Sequence, residues 1–450
     1  MSRTHALLFA GLTLSIAPHV AAAPQAVSSP GSFEITSQAT WGQLKARKAM
    51  RDRNGGAVIV LQSGDDLLVR HLASIPGAAG YGFKDTVIKT KMAGKPLEIL
   101  GATVSGQNDT FVYYRGMGVN VMYERLAKVD AQGALGFDIE ILSGGCFAFA
   151  PDEAGGVYTM DYAPKLASGF AWNTGRPRVS RLGSAGTKTW ENIAPADKTY
   201  HAGRCAIART SDGVLAAFSF ITTQSLDDPG EIRMERVSQA GALLGASEKV
   251  SIAPAAGPPV ALSLDAIEMW AQGDAATLLG RTKDNKSYLV RYDAQVKPLS
   301  AMEVSTPLIE HQGDLLTYSN SLNTVGGHRY HPTATGITKT SFSSGPVSSK
   351  PNVTFSSLTF DKGIFTFWGK TQSAPTAGFV RADGSVIGVW GSGIGNAPAS
   401  VFAAFLEGTN FFAIDIANDT TSVTTGHFSF PGTSPLPGAL LHATPAVAPK

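Results

Sequence analysis

Between residues 55 and 430 short apolar runs alternate with tight polar turns. Val58-Ile59-Val60-Leu61 is apolar on both faces of a strand, as a strand covered from both sides must be. Phe360, Ile364 and Phe367 flank a turn in the same style. The turns are of two kinds. The first joins two apolar strands, at Ser63-Gly64-Asp65, Asn108-Asp109, Gly155-Gly156, Asp212-Gly213, Gly273-Asp274, Gly313-Asp314, Lys362-Gly363 and Glu407-Gly408. The second falls later in each unit, at Ala93-Gly94, Asp130-Ala131-Gln132-Gly133, Ser184-Ala185-Gly186, Ser238-Gln239-Ala240-Gly241, Asp293-Ala294-Gln295, Thr335-Gly336, Asp383-Gly384 and Asn418-Asp419. Gly, Asn and Asp dominate because they tolerate positive φ or bond their own backbone.

From Gly64 to Gly408 the first kind recurs about every 49 residues. The segments at the second kind resemble one another: Glu235-Arg236-Val237-Ser238, Val290-Arg291-Tyr292-Asp293 and Val380-Arg381-Ala382-Asp383. Two hairpins per unit make four strands, and four short strands in such a unit is the period of a propeller blade. The expected fold is all-β, a single-domain β-propeller of seven or eight blades over residues 55–430. A pair of β-sandwiches is the competing architecture, but it requires no regular spacing. Residues 23–54 read as a flank. Within it Phe33 to Trp41 is a candidate strand closing the ring on the last, shorter unit. Residues 42–53, with Lys45, Arg47, Lys48, Arg51 and Arg53, read as a short basic helix, solvated rather than holding an acidic partner. Residues 431–450, rich in Pro and Ala, read as a disordered tail.

Composition agrees with a ring of sheets covered on both faces. Charged residues make up 16%, against roughly 25% in an average soluble protein, and Gly accounts for 49 of 450 residues. A net charge of +2 without a Lys/Arg run gives no footprint for nucleic acid. The N-terminus reads as a secretory signal peptide over residues 1–22: Arg3, an apolar stretch 6–17, and the small residues Val20-Ala21-Ala22 before the cut. That stretch is shorter than the roughly 20 residues of a membrane span, so no membrane insertion is expected. The expectation is a soluble, monomeric protein, periplasmic or secreted. The two cysteines, Cys146 and Cys205, fall at similar places in successive repeats and form a candidate disulfide in an oxidising compartment; two inert buried thiols are the alternative.

The repeated units, such as Tyr288-Leu289-Val290-Arg291-Tyr292-Asp293-Ala294, resemble those of secreted bacterial β-propeller repeat proteins. The resemblance is architectural, covers about 375 residues, and brings no catalytic motif with it. Propellers of this kind bind proteins, glycans or cofactors, and some are lyases, hydrolases or oxidoreductases.

The sequence has no G-x-S-x-G elbow, P-loop, H-E-x-x-H or C-x-x-C, and no cofactor fingerprint. Loop length is the better guide. The third and fourth units carry extra residues at 163–177, 195–204 and 222–231. The first and third join middle strands and the second joins two units, and in a propeller both types emerge on one face. Binding residues concentrate on such loops. These carry Trp172, Arg176, Asp227 and Asp228 as candidate binding residues, and Tyr200, His201 and Arg204 as a candidate catalytic group. Trp172 or Tyr200 suits a sugar ring, Arg204 suits a carboxylate, and His201 with Tyr200 suits the base and acid of a uronic-acid β-elimination. Asp227-Asp228-Pro229-Gly230 is also a good turn. In His328-Arg329-Tyr330-His331 a strand turns the two histidines to opposite faces, against a shared metal; His311 lies near that unit's start and His71 is isolated. Asp265 and Glu268 precede Trp270 on an expected inner strand. The leading expectation is a binding or scaffold propeller with a protein or glycan ligand and no cofactor. The alternative is a secreted carbohydrate-active enzyme, foremost a polysaccharide lyase.

Overall fold

The computed structural model describes residues 32–429, apart from 41–44, 55, 75–80, 90–97, 118–121, 142–145, 165–173, 194–199, 202–204, 221–230, 253–259, 283–284, 322–323, 347–353, 371–374, 392–400, 408–409 and 418–419. The described elements are all strands. After β1 (Ser32–Thr40) come units of four. Unit 1 is β2 (Lys45–Arg51), β3 (Ala57–Ser63), β4 (Asp66–Ser74) and β5 (Tyr81–Ile88). Unit 2 is β6 (Glu98–Val104), β7 (Thr110–Met117), β8 (Met122–Val129) and β9 (Leu135–Ile141). Unit 3 is β10 (Ala148–Pro151), β11 (Val157–Pro164), β12 (Thr174–Leu182) and β13 (Lys188–Ile193), with a short extra strand β14 (Tyr200–His201). Unit 4 is β15 (Cys205–Arg209), β16 (Gly213–Phe220), β17 (Glu231–Ser238) and β18 (Leu243–Ile252). Unit 5 is β19 (Val260–Gln272), β20 (Ala275–Thr282), β21 (Ser287–Tyr292) and β22 (Pro298–Val304). Unit 6 is β23 (Ile309–His311), β24 (Asp314–Ser321), β25 (Thr324–Pro332) and β26 (Ile337–Pro346). Unit 7 is β27 (Thr354–Asp361), β28 (Ile364–Lys370), β29 (Pro375–Arg381) and β30 (Val386–Gly391). The last is β31 (Ala403–Glu407), β32 (Asn410–Ala417) and β33 (Thr420–Ser429).

The strands pair antiparallel into seven sheets arranged as a propeller. Six sheets hold one unit each. The eight-stranded seventh holds units 4 and 5, joined through the pairs Ser251↔Ala261 and Ile252↔Val260. The count is therefore seven by sheets and eight by four-stranded units. First strands of neighbouring units lie side by side, as β10 does with β15 and β15 with β19.

Second strands are covered from both sides, which explains the apolar runs of β3 and β16. On β3, Val58 and Val60 pack with Val112 and Tyr114 of unit 2. Ala57, Ile59 and Leu61 pack with Phe405 and Ile414 of the last unit. On β16, Val214, Ala216 and Phe218 face unit 3, and Leu215 and Ala217 face unit 5. Alternate side chains thus fill two different seams.

The turns are closed by local hydrogen bonds. Asp152 Oδ1 accepts from the backbone N–H of Ala154 at 2.8 Å and Gly156 at 2.6 Å. Asp130 Oδ1 does the same for Gln132 at 2.9 Å and Ala134 at 2.7 Å. Asp and Ser favour such sites because their short side chains mimic a backbone turn.

Two features of the N-terminal part correct the sequence reading. Residues 45–51 form strand β2, not part of a helix over 42–53, so the first unit begins at Lys45 and not near residue 55. Lys, Ala, Arg and Met are good helix formers, but pairing with β3 from Lys45↔Gln62 to Arg51↔Ala57 decides the conformation. The first turn of unit 1 is accordingly 52–56, where Asp52 N donates to Gly56 O at 3.1 Å. Gly64-Asp65 is that unit's middle turn, one strand later than the repeat suggested. Ala93-Gly94 and Asn418-Asp419 lie outside the described residues.

The ring closes at two radii. At the outer edge β1 pairs with β33 from Ser32↔Ser429 to Thr40↔Ser422, so the last sheet takes its outer strand from the N-terminal side. At the inner end Arg51 Nε donates to Asp361 Oδ1 at 2.9 Å, and its Nη2 meets both Asp361 Oδ2 and the Leu406 carbonyl. Leu406 N donates to Asp361 Oδ2 at 2.7 Å. Unit 1, the last unit and unit 7 therefore share one ion-pair network.

A related device recurs around the ring. A cation on the third strand meets an acceptor near the first turn: Lys128 with Asp109 at 2.8 Å, Arg181 with Asp152 at 2.8 Å, Arg236 with Asp212 at 2.9 Å, and Arg329 with Asp314. In unit 5 Arg291 uses Thr277 at 3.3 Å instead. Three of these cations also reach a turn carbonyl of the next unit: Lys128 to Gly155, Arg236 to Ala294 and Arg291 to Thr333.

Two expectations follow. Arg51→Met leaves the Asp361 carboxylate without its cationic partner, and unfolding stability should fall by about 2–3 kcal/mol; Arg51→Met paired with Asp361→Leu should recover part of that loss in chemical denaturation. Burial holds the half-buried His71 and His311 imidazoles below their ordinary value near 6.5, despite the opposing pull of Asp52 on the first and Glu310 on the second. The unfolded chain then takes up protons before the folded one does. The histidines' contribution is complete above about pH 6.5 and is lost as pH falls through that value. Tm should drop between pH 7 and 5.5, and His71→Gln with His311→Gln should flatten that slope.

Candidate functional site

The first and third turns of each unit lie on one face of the ring. The middle loops and the connections between units lie on the other, and units 3 and 4 carry long segments there. The long segments 165–173 and 221–230 join β11 to β12 and β16 to β17, and 194–204 links β13 to β15 by way of β14. β14 is seated on the start of β12 through Gly175↔Tyr200 and Thr174↔His201. This brings the Tyr200-His201 backbone beside the strand that carries Arg176, which is half-buried and opposite Ala163. Trp172, Arg204, Asp227 and Asp228 lie outside the described residues.

Cys146 and Cys205 form a disulfide with Cα atoms 6.0 Å apart. Cys205 begins β15 and Cys146 immediately precedes the β10 region, so the bridge ties units 3 and 4 at the loop-face ends of their first strands. Tyr162 and Phe218 pack edge to face at 6.5 Å in the same seam. Two ion pairs stiffen the supporting strands. Arg178 grips Asp161 with two bonds of 2.7 Å, and Arg233 Nε donates to Glu235 at 3.0 Å. Burial pushes both carboxyls upward, and the paired guanidinium opposes the shift in each case.

Unit 2 adds a group that sequence reading missed. Tyr113 OH donates to Glu124 Oε2 at 2.6 Å and Arg115 Nε donates to Glu124 Oε1 at 2.9 Å. Phe147, beside Cys146, lies 4.4 Å from the Tyr113 ring. Phe147 follows Cys146 in the chain but packs with Tyr113 in the seam between units 2 and 3, whereas the disulfide lies in the seam between units 3 and 4; the half-buried Arg115 joins the first of these seams through Glu124. Only the Tyr-Tyr-Arg run of β7 hinted at them, and it reads equally as core.

The other sequence candidates are structural. On β25, His328 and His331 face opposite sides. His331 Nδ1 lies 2.5 Å from Asp314, which Arg329 also engages, while His328 meets Ser341 Oγ at 3.0 Å. No group of three or more metal-ligating side chains exists among the described residues. Glu268 and Trp270 do lie on a first strand, β19. Asp265 is in the same strand, with its side chain outside the described residues.

No protein-family model matches the chain, and no curated protein matches it in sequence. Among solved structures it is similar to a eukaryotic initiation factor at 10% identity, over 87% of each chain, with a TM-score of 0.44. It is also similar to the BP39L lectin from Burkholderia pseudomallei at 12% identity, over 78% of this chain and 98% of that one, with a TM-score of 0.41. The polysaccharide lyase Uly1 is similar at 10% identity, over 79% of this chain and 94% of that one, with a TM-score of 0.33. Likenesses this distant carry nothing about the site.

Removing the bridge by Cys146→Ala with Cys205→Ala should cost about 2–4 kcal/mol of stability. Denaturant unfolding of the non-reduced proteins measures this. Equal midpoints would mean that the seam packing alone holds units 3 and 4.

Proposed function

We propose that this chain is an exported binding propeller that takes a protein or glycan ligand on the loop face of units 3 and 4. The observation that carries the reading is the extra strand β14, paired with the start of β12 beside Arg176, together with the disulfide that ties the loop-face ends of units 3 and 4. Loops held on a rigid scaffold are where binding residues concentrate. Tyr200, His201 and Arg176 are the contacts proposed from the described strands. Trp172, Arg204, Asp227 and Asp228 are those proposed from the adjoining loops. Export is supported by the pattern of residues 1–22 and is compatible with the disulfide.

The test is a thermal-shift and pull-down comparison on the mature chain, residues 23–450, against neutral and acidic polysaccharide fragments and envelope protein fractions. A ligand that raises Tm should lose about tenfold in affinity with Arg176→Ala or His201→Ala. Ligand binding unaffected by either variant would remove the loop face from consideration. Chain cleavage of an acidic fragment, lost with His201→Ala while Tm is kept, would turn the reading to a lyase.

A further inference from the structure

The turn face holds a second feature, at the opposite end of the axis from the loops. The first strands of units 4, 5 and 6 end there around a cavity of about 390 Å³. That size lies within the roughly 300–1,000 Å³ of small-molecule sites. Arg209 closes β15, Trp270 and Gln272 close β19, and Glu310 with Gly313 forms the end of unit 6's first hairpin. Thr277, on the neighbouring β20, completes the polar lining.

These groups are held in place by bonds that leave part of their capacity unused. Gly313 N donates to Glu310 Oε1 at 2.8 Å, leaving the second carboxylate oxygen of an exposed side chain available. Gln272 Nε2 donates to the Gly313 carbonyl, leaving its own carbonyl oxygen as an acceptor. Thr277 is fixed by Arg291 at 3.3 Å. Trp270 is half-buried against the Leu279–Leu315 core, and its indole N–H takes no acceptor among the described residues. Arg209 is neutralised by Glu153 of unit 3 at 2.6 Å, so the uncompensated charge at the cavity is the Glu310 carboxylate.

An aromatic wall, one indole donor, two unused acceptors and a net negative charge describe a complement for a polyol. Each hydroxyl of a sugar both donates and accepts, its C–H face packs on an aromatic ring, and a cationic amine gains from the carboxylate. An anionic ligand meets repulsion instead. We propose that this turn-face cavity is a binding site for a neutral or amino-substituted mono- or disaccharide, separate from the loop face and independent of what that face binds.

The test is calorimetric titration of the full mature chain with glucose, N-acetylglucosamine, glucosamine and glucuronic acid, followed in parallel by tryptophan fluorescence. Binding of a neutral or amino sugar with a fluorescence change is expected, with glucuronic acid about tenfold or more weaker. Trp270→Ala and Gln272→Leu should each lower affinity about tenfold or more, and Gln272→Leu spares the core that Trp270 helps to form. Glu310→Gln should weaken glucosamine more than glucose. His201→Ala, on the other face, should change nothing. Absence of binding by all four probes, preference for glucuronic acid, or full affinity in Gln272→Leu would each overturn the proposal.

Discussion

A ring of sheets is stable only if it closes. Every unit offers two apolar faces, and the second strands show why neither can be left open: β3 buries Val58 and Val60 on one side and Ile59 and Leu61 on the other. A linear stack would leave one face bare at each end. The chain avoids this by bringing residues roughly 310 positions apart into contact, as in the Arg51–Asp361 pair. Backbone pairing of β1 with β33 closes the rim, where solvent competes for hydrogen bonds and a long ladder is needed. A charge network closes the inner end, where little space remains and a single guanidinium can reach two units.

The same chemistry, used locally, shapes the rest of the turn face. The third strands of units 2 to 6 end near a cation, and that cation meets a carboxylate or hydroxyl near the first turn of its own unit. Where it also reaches a carbonyl of the next unit, it fixes the angle between neighbours as well as the turn. The Lys128–Asp109 pair is buried on both sides, and removing one partner strands the other. This face is therefore constrained residue by residue. The loop face carries the long segments of units 3 and 4, at 165–173, 194–204 and 221–230.

Reading the sequence recovered what depends on neighbours along the chain. The turn residues Asp130, Ser238 and Asp293 declare themselves because each side chain accepts from backbone N–H groups within a few positions, and Gly384 because its φ is positive. The buried strands declare themselves because both faces must be apolar. Strand β2 did not, because Lys45 to Arg51 favours a helix in isolation and becomes a strand only through β3. Missing it displaced the register of the first unit by one strand. The Arg in Glu235-Arg236-Val237 and Val290-Arg291-Tyr292 was visible as a repeat, but its carboxylate and carbonyl partners lie 24 to 58 residues away.

The candidate site divides along the same line. Loop length alone pointed to units 3 and 4, because an insertion is a local property of the chain. The Tyr113, Arg115 and Glu124 group, the seat of β14 on β12, and the cavity among Arg209, Trp270 and Glu310 each join residues from different strands or units. By itself the sequence determined strand-forming runs, turn chemistry, the repeat and its approximate period, since these are set by interactions a few residues long. Only the tertiary structure decided where the ring begins, how it closes and which polar groups meet, since those follow from contacts whose partners the chain brings together only after it has folded.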